Sequence, residues 1–84
     1  MTNKEKIEII LKHIHAMYPE KMILNATQTA KVIGISGRTL SRRIKDEQWD
    51  KLPSFKRETT ERKDIKTNKY EFSIFDIAEF LARN

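Results

Sequence analysis

Cysteine is absent from this chain of 84 residues, which excludes a disulfide framework and a thiolate zinc site. Glycine occurs twice and proline twice, which leaves no room for a glycine-rich phosphate loop. No apolar run approaches membrane-spanning length, and the charged opening MTNKEKIE lacks the apolar stretch of a signal peptide. A cytoplasmic protein without membrane association is the expectation. The histidines His13 and His15 lie two positions apart on a helical pattern, so they project to different sides and cannot share a metal. No nucleophile, base and orienting residue can be assembled, and no metal-ligand spacing occurs. The chain is therefore expected not to be an enzyme and to hold no cofactor and no metal. Its length suits one small domain with a modest core.

What the chain does contain is the stretch 25–44, NATQTAKVIGISGRTLSRRI, which reads as two short helices joined by a tight turn. Asn25 followed three residues later by Gln28 is a capping-box pattern. Ala30 is small enough to let a second helix approach closely. Gly34 falls where the first helix must stop and the backbone needs a positive φ. Ile35 is a buried turn residue, and Ser36 is a good cap for GRTLSRRIK. Ala26, Thr29, Val32 and Ile33 supply inward and flanking positions. In the second helix Leu40 and Ile44 are four apart and must face inward. At about 100° per residue, Arg38, Arg42 and Lys45 then point away, with Thr39 and Ser41 at the sides. Arg43 lies nearer the core edge and suits a phosphate better than a base. This order of residues fits a DNA-binding helix-turn-helix. An ordinary helical hairpin in a small bundle ranks second, because it has no need for Arg38, Arg42, Arg43 and Lys45.

Upstream, residues 3–18 form an amphipathic helix with Asn3 as cap and Pro19 as stop. Ile7, Ile10, Leu11, Ile14, Met17 and Tyr18 make its apolar stripe, expected to pack on the helix-turn-helix of residues 25–46. Met22, Ile23 and Leu24 are a brief strand or an anchor for the helix entrance. Downstream, residues 46–52 form a linker, where Trp49 is expected to cap the core rather than stack on bases. SFKRETT and KYEFS suit strands, with Phe55, Tyr70 and Phe72 as apolar positions. With the polar ERKDIKTN between them, residues 54–72 make a hairpin with a long basic tip, a wing. A flexible polar loop is the competing reading. Ser73 caps a last helix over 73–83, with Ile74, Ile77, Ala78 and Leu81 buried and Phe75 and Phe80 completing the core. The expected fold class is mainly α with a small β-hairpin wing (α+β), one domain over residues 1–84 with an extra N-terminal helix.

The net charge is +5 and is unevenly spread. Residues 31–69 hold twelve Lys or Arg against six Asp or Glu, and the rest of the chain five against six. A one-sided basic field of this kind is the electrostatic footprint of nucleic-acid binding. A solvated lysine-rich surface explains Lys4, Lys6 and Lys12, which alternate with acids, better than it explains the central cluster.

Ala30, Gly34, Ile35, Ser36, Arg38, Thr39 and Leu40, then Leu52 and Pro53, then the tail YEFSIFDIAEFLAR also carry a resemblance. Residues 24–81, about two thirds of the chain, resemble the winged helix-turn-helix of excisionase and AlpA-like proteins, related to the DNA-binding domain of MerR-type regulators. The terminase small subunit of phage packaging has a similar arrangement. The resemblance implies sequence-specific binding of double-stranded DNA without catalysis, by a small transcriptional regulator or a recombination directionality factor of a mobile element. MerR-type regulators continue into a long dimerisation helix and an effector domain, so a chain stopping at Asn84 favours the smaller type. The N-terminal helix and the longer wing depart from the minimal family pattern.

On this reading the second hairpin helix enters the major groove, where Arg38 and Arg42 donate to guanine O6 and N7. Thr39 and Ser41 reach bases or phosphates, Arg43 and Lys45 neutralise phosphates, and amides near Ser36 add a phosphate contact. Lys56, Arg57, Arg62, Lys63, Lys66 and Lys69 decorate the wing, on the backbone or in the minor groove, with Arg57, Arg62 and Lys63 best placed. So small a module is expected to act in several copies on adjacent sites and to bend the DNA, at the nucleoid, with an integrase or another phage or plasmid protein as a further partner. The alternatives are a phage or plasmid protein-interaction adaptor and a terminase-like packaging module. An adaptor would use the apolar stripe of the first helix, which would then stand exposed.

Overall fold

Side-chain caps set the helix starts in the computed structural model, which describes residues 2–83. The elements are α1 (Asn3–Met17), β1 (Ile23–Leu24), α2 (Ala26–Ile33), α3 (Gly37–Lys45), a 3-10 turn (Trp49–Lys51), β2 (Lys56–Arg62), β3 (Ile65–Ser73) and α4 (Ile74–Ala82). The fold is α+β, with four α-helices and a three-stranded antiparallel sheet in the order β1-β3-β2 among the described residues. Asn25 and Gln28 form the full capping box: Gln28 N–H donates to Asn25 Oδ1 at 2.8 Å, and Asn25 N–H donates to Gln28 Oε1 at 3.1 Å. Ser36 Oγ accepts from Thr39 N–H, and Ser73 Oγ from Phe75 N–H. At α1 the cap is Thr2, not Asn3. Thr2 Oγ1 accepts from Glu5 N–H at 3.2 Å, and Asn3 is already inside the helix. Each such cap contributes about 0.5–2 kcal/mol.

Gly34 ends α2 at φ 81°, and Ile35 N–H donates back to the Ala30 carbonyl at 3.0 Å. A Cβ added at Gly34 would meet no atom within 4 Å, so the demand for glycine is one of backbone conformation and not of space. Gly34→Val is accordingly expected to lose about 1–3 kcal/mol of stability. The check is a lowered urea midpoint at unchanged m-value. A valine variant as stable as the parent would mean that the turn does not depend on a left-handed residue. At the far end of α3, Gln48 N–H reaches the Arg43 carbonyl at 3.0 Å and Glu47 N–H the Ile44 carbonyl at 3.2 Å. This is the Schellman pattern, with Glu47 at φ 57° in the place glycine usually takes.

The core gathers around Ile14, Leu24, Leu40, Phe72, Ile74 and Ile77, all fully buried. Here α1 departs from expectation. Its stripe packs chiefly on α4 and not on the α2–α3 hairpin, because α4 buries Ile77, Ala78 and Phe80 and gives α1 an apolar partner of its own. Ile14 is buried, Ile7, Ile10, Leu11 and Tyr18 are half-buried, and Met17 stands 44% exposed at the helix end. Phe80 is buried as expected, whereas Phe75, in the first turn of α4, is 51% exposed and closes nothing.

The second departure is the hairpin. Its strands pair without interruption from Lys56↔Glu71 to Arg62↔Ile65, and only Lys63 and Asp64 remain as the turn. Both have positive φ, 45° and 68°, the conformation of a tight I′-like turn whose twist suits a hairpin. No long tip exists. The polar stretch zips up because cross-strand partners are complementary: Glu58 faces Lys69, Thr59 faces Asn68, Thr60 faces Thr67 and Glu61 faces Lys66. Thr59 Oγ1 donates to Asn68 Oδ1 at 2.9 Å. Every residue of β2 is exposed, and the molecule measures 50 Å along its longest axis.

Candidate nucleic-acid interface

The outward face of α3 follows from its inward one. Leu40 and Ile44 are buried, which turns Arg38, Arg42 and Lys45 to solvent. None of these three side chains makes a hydrogen bond or ion pair with a described residue; the one ion pair among the described residues is Lys69–Glu71 at 3.9 Å. Arg43 differs: it is half-buried, and its Nη1 donates to the Lys51 carbonyl at 3.2 Å. One of its donors therefore braces the 3-10 turn against α3, and its other N–H groups have no partner among the described residues. The Ser36 and Thr39 hydroxyls are also engaged, lying 2.9 Å apart while Ser36 Oγ accepts from Thr39 N–H. Ser41 is exposed and its hydroxyl is free of described partners.

Register divides the ribbon's cations between two faces. Alternation puts Arg57, Thr59 and Glu61 with Tyr70, Asn68 and Lys66 on one face. Lys56, Glu58, Thr60 and Arg62 share the other with Glu71, Lys69, Thr67 and Ile65. The first face looks toward α3, since Arg57, Asn68 and Tyr70 line a groove together with Ser41 and Lys45. Lys56 and Arg62 point to the opposite side, and Lys63 sits in the turn, so the six ribbon cations do not form one surface. Pairing also compensates some of them: Lys56 lies opposite Glu71, Lys66 opposite Glu61 and Lys69 opposite Glu58. Arg57 lies opposite Tyr70 and Arg62 opposite Ile65, so neither faces an acid across the ribbon.

The groove between α3 and the ribbon encloses about 370 Å³, with Ile44, Glu47 and Trp49 completing its lining. Trp49 departs furthest from the sequence reading. It does not cap the core; it is 53% exposed, with its ring centroid 5.8 Å from that of Phe55. Phe55 in turn lies 5.7 Å from Tyr70 and 5.3 Å from Phe72. An aromatic chain thus runs from the core to the groove and ends in a bare indole. Sequence reasoning missed this residue because a lone tryptophan in a linker gives no face. The available signal was its position four residues after the end of the basic helix.

Among the described residues no cluster of His, Asp or Glu is placed to hold a metal ion, and no helix is long and apolar enough to cross a membrane. The chain matches no protein-family model, no curated protein and no solved structure.

Proposed function

We propose that the protein binds double-stranded DNA in a sequence-specific manner, as a winged helix-turn-helix without catalytic activity. The α3 helix enters the major groove and the β2–β3 ribbon is the wing, lying along the adjacent backbone or minor groove. The observation that supports this most is the set of unpaired cations Arg38, Arg42 and Lys45 on one helix face, beside a groove that Arg57 shares from the ribbon. A structural hairpin gains nothing from three cations without partners. The biological role that fits is a small transcriptional regulator or a recombination directionality factor of a mobile element, with copies on adjacent sites. The adaptor reading weakens, because most of the α1 stripe lies against α4.

The test separates base reading from phosphate positioning. On a duplex selected from a random pool, Arg42→Ala should cost about 1–3 kcal/mol and relax preference at one base pair. Lys63→Ala should weaken selected and unselected duplexes alike. If both variants lose selected and unselected DNA to the same extent, α3 does not read bases.

A further inference from the structure

The groove between α3 and the ribbon combines features that the fold itself does not need. Lys45 projects from one wall and Arg57 from the other, and no described acid lies within ion-pair distance of either. Ser41 adds a free hydroxyl. Asn68 accepts the Thr59 hydroxyl through Oδ1, which leaves its Nδ2 hydrogens to donate. Trp49 is held by Phe55 yet keeps half of its surface bare. An indole is costly to leave in water, and its flat apolar face suits a sugar or a base.

We propose that this groove seats one segment of a DNA sugar–phosphate backbone. A phosphate lies between Lys45 and Arg57, within reach of the Ser41 hydroxyl and the Asn68 amide, and the adjoining deoxyribose covers the Trp49 indole. This rests on the DNA-binding reading and names a subsite within it. The backbone is the occupant because bases in a duplex are stacked on one another. What a side chain beside the duplex meets is phosphate and sugar. Cations from two walls suit the negative charge of such a strand. Glu47 is the acid in the lining, and it stands at φ 57° where glycine would be less strained. Its carboxylate opposes a phosphate in the groove and so weakens the seat.

Trp49 is the only tryptophan, so indole emission comes from it alone. It borders this groove and also a second cleft with Leu52, Pro53 and Arg83, so protection counts for the groove only where Lys45→Ala or Arg57→Ala reduces it. The full chain is titrated with labelled selected duplex. Anisotropy of the label follows binding, and acrylamide quenching of Trp49 follows occupation of the groove. At saturation the quenching constant should fall about twofold or more, as burial of an exposed indole requires. Lys45→Ala and Arg57→Ala should each make the slope of log K against log salt about 0.9 less steep, one phosphate contact apiece. Glu47→Gln should tighten binding roughly threefold, since it removes a like charge from the seat. DNA that binds by anisotropy while Trp49 remains as accessible as in the free protein would overturn the seat and leave the DNA-binding reading standing. Absence of binding to any duplex would remove both. A mononucleotide that protects Trp49 as fully as the duplex would mark a nucleotide pocket and also overturn the proposal.

Discussion

Raising salt from 50 to 200 mM is expected to weaken DNA binding about a thousandfold. The estimate comes from the number of uncompensated cations that displace counterions from the duplex, whether they end on a phosphate or in a groove. Lys56, Lys66 and Lys69 lie opposite Glu71, Glu61 and Glu58 across the ribbon, so three of the 17 Lys and Arg are offset locally by acids. Among the described residues, Arg38, Arg42, Lys45, Arg57, Arg62 and Lys63 have no acid across from them or bonded to them. Half-engaged Arg43 adds to them, whereas backbone amides are uncharged and leave the slope unchanged. About six neutralised phosphates give a slope of log K against log salt near −5, and a fourfold rise in salt then costs on the order of 10³ in affinity. Fluorescence anisotropy across that range measures the slope. A slope shallower than about −2 would mean that backbone phosphates are not the main partner.

The helical hairpin was legible because its determinants are local. Asn25 with Gln28, Gly34 at the helix end and Ser36 as cap each act within four residues, and all adopt the conformations that their chemistry requires. The inward pair Leu40 and Ile44 likewise follows from helical spacing alone. What could not be read was which element covers which. The α1 stripe is an apolar face, and such a face does not name its partner; α4 competes for it with the α2–α3 hairpin and wins. Ribbon length escaped for another reason. A strand exposed on both faces shows no apolar alternation, and its stability lies in cross-strand pairs that appear only once the register is known.

The same distinction applies to the candidate interface. Arg38, Arg42 and Lys45 were found from the phase of α3. The sequence ranks Arg57 equal to Arg62 and Lys63, and register separates them: it turns Arg57 toward α3 and turns Lys56 and Arg62 away. Arg43 is the instructive exception: its phase near the core edge is visible in the sequence, but the Lys51 carbonyl that engages it comes from the next turn. Side chains that project into solvent are thus predictable from one element, and those that join two elements are not.

Replacing Phe72 with alanine is expected to cost about 3–5 kcal/mol of stability, the range for emptying a large aromatic site in a core. The ring is fully buried in β3 opposite Leu24, and its centroid lies 5.3 Å from that of Phe55. It therefore ties the sheet to the aromatic chain that leads out to Trp49. Domains of this kind have total stabilities of roughly 5–15 kcal/mol, and a small core lies toward the lower end. Much of the fold's stability should then vanish with one side chain, and with it the alignment of α3 and the ribbon. Thr60→Ala in the outer ribbon is the control. Thr60 is exposed and pairs only with exposed Thr67, so its loss should change stability by no more than about 1 kcal/mol. Urea unfolding followed by circular dichroism measures both. A Phe72→Ala variant within about 1 kcal/mol of the parent would show that the core is not centred on β3, and that the ribbon is held in place by something other than this ring.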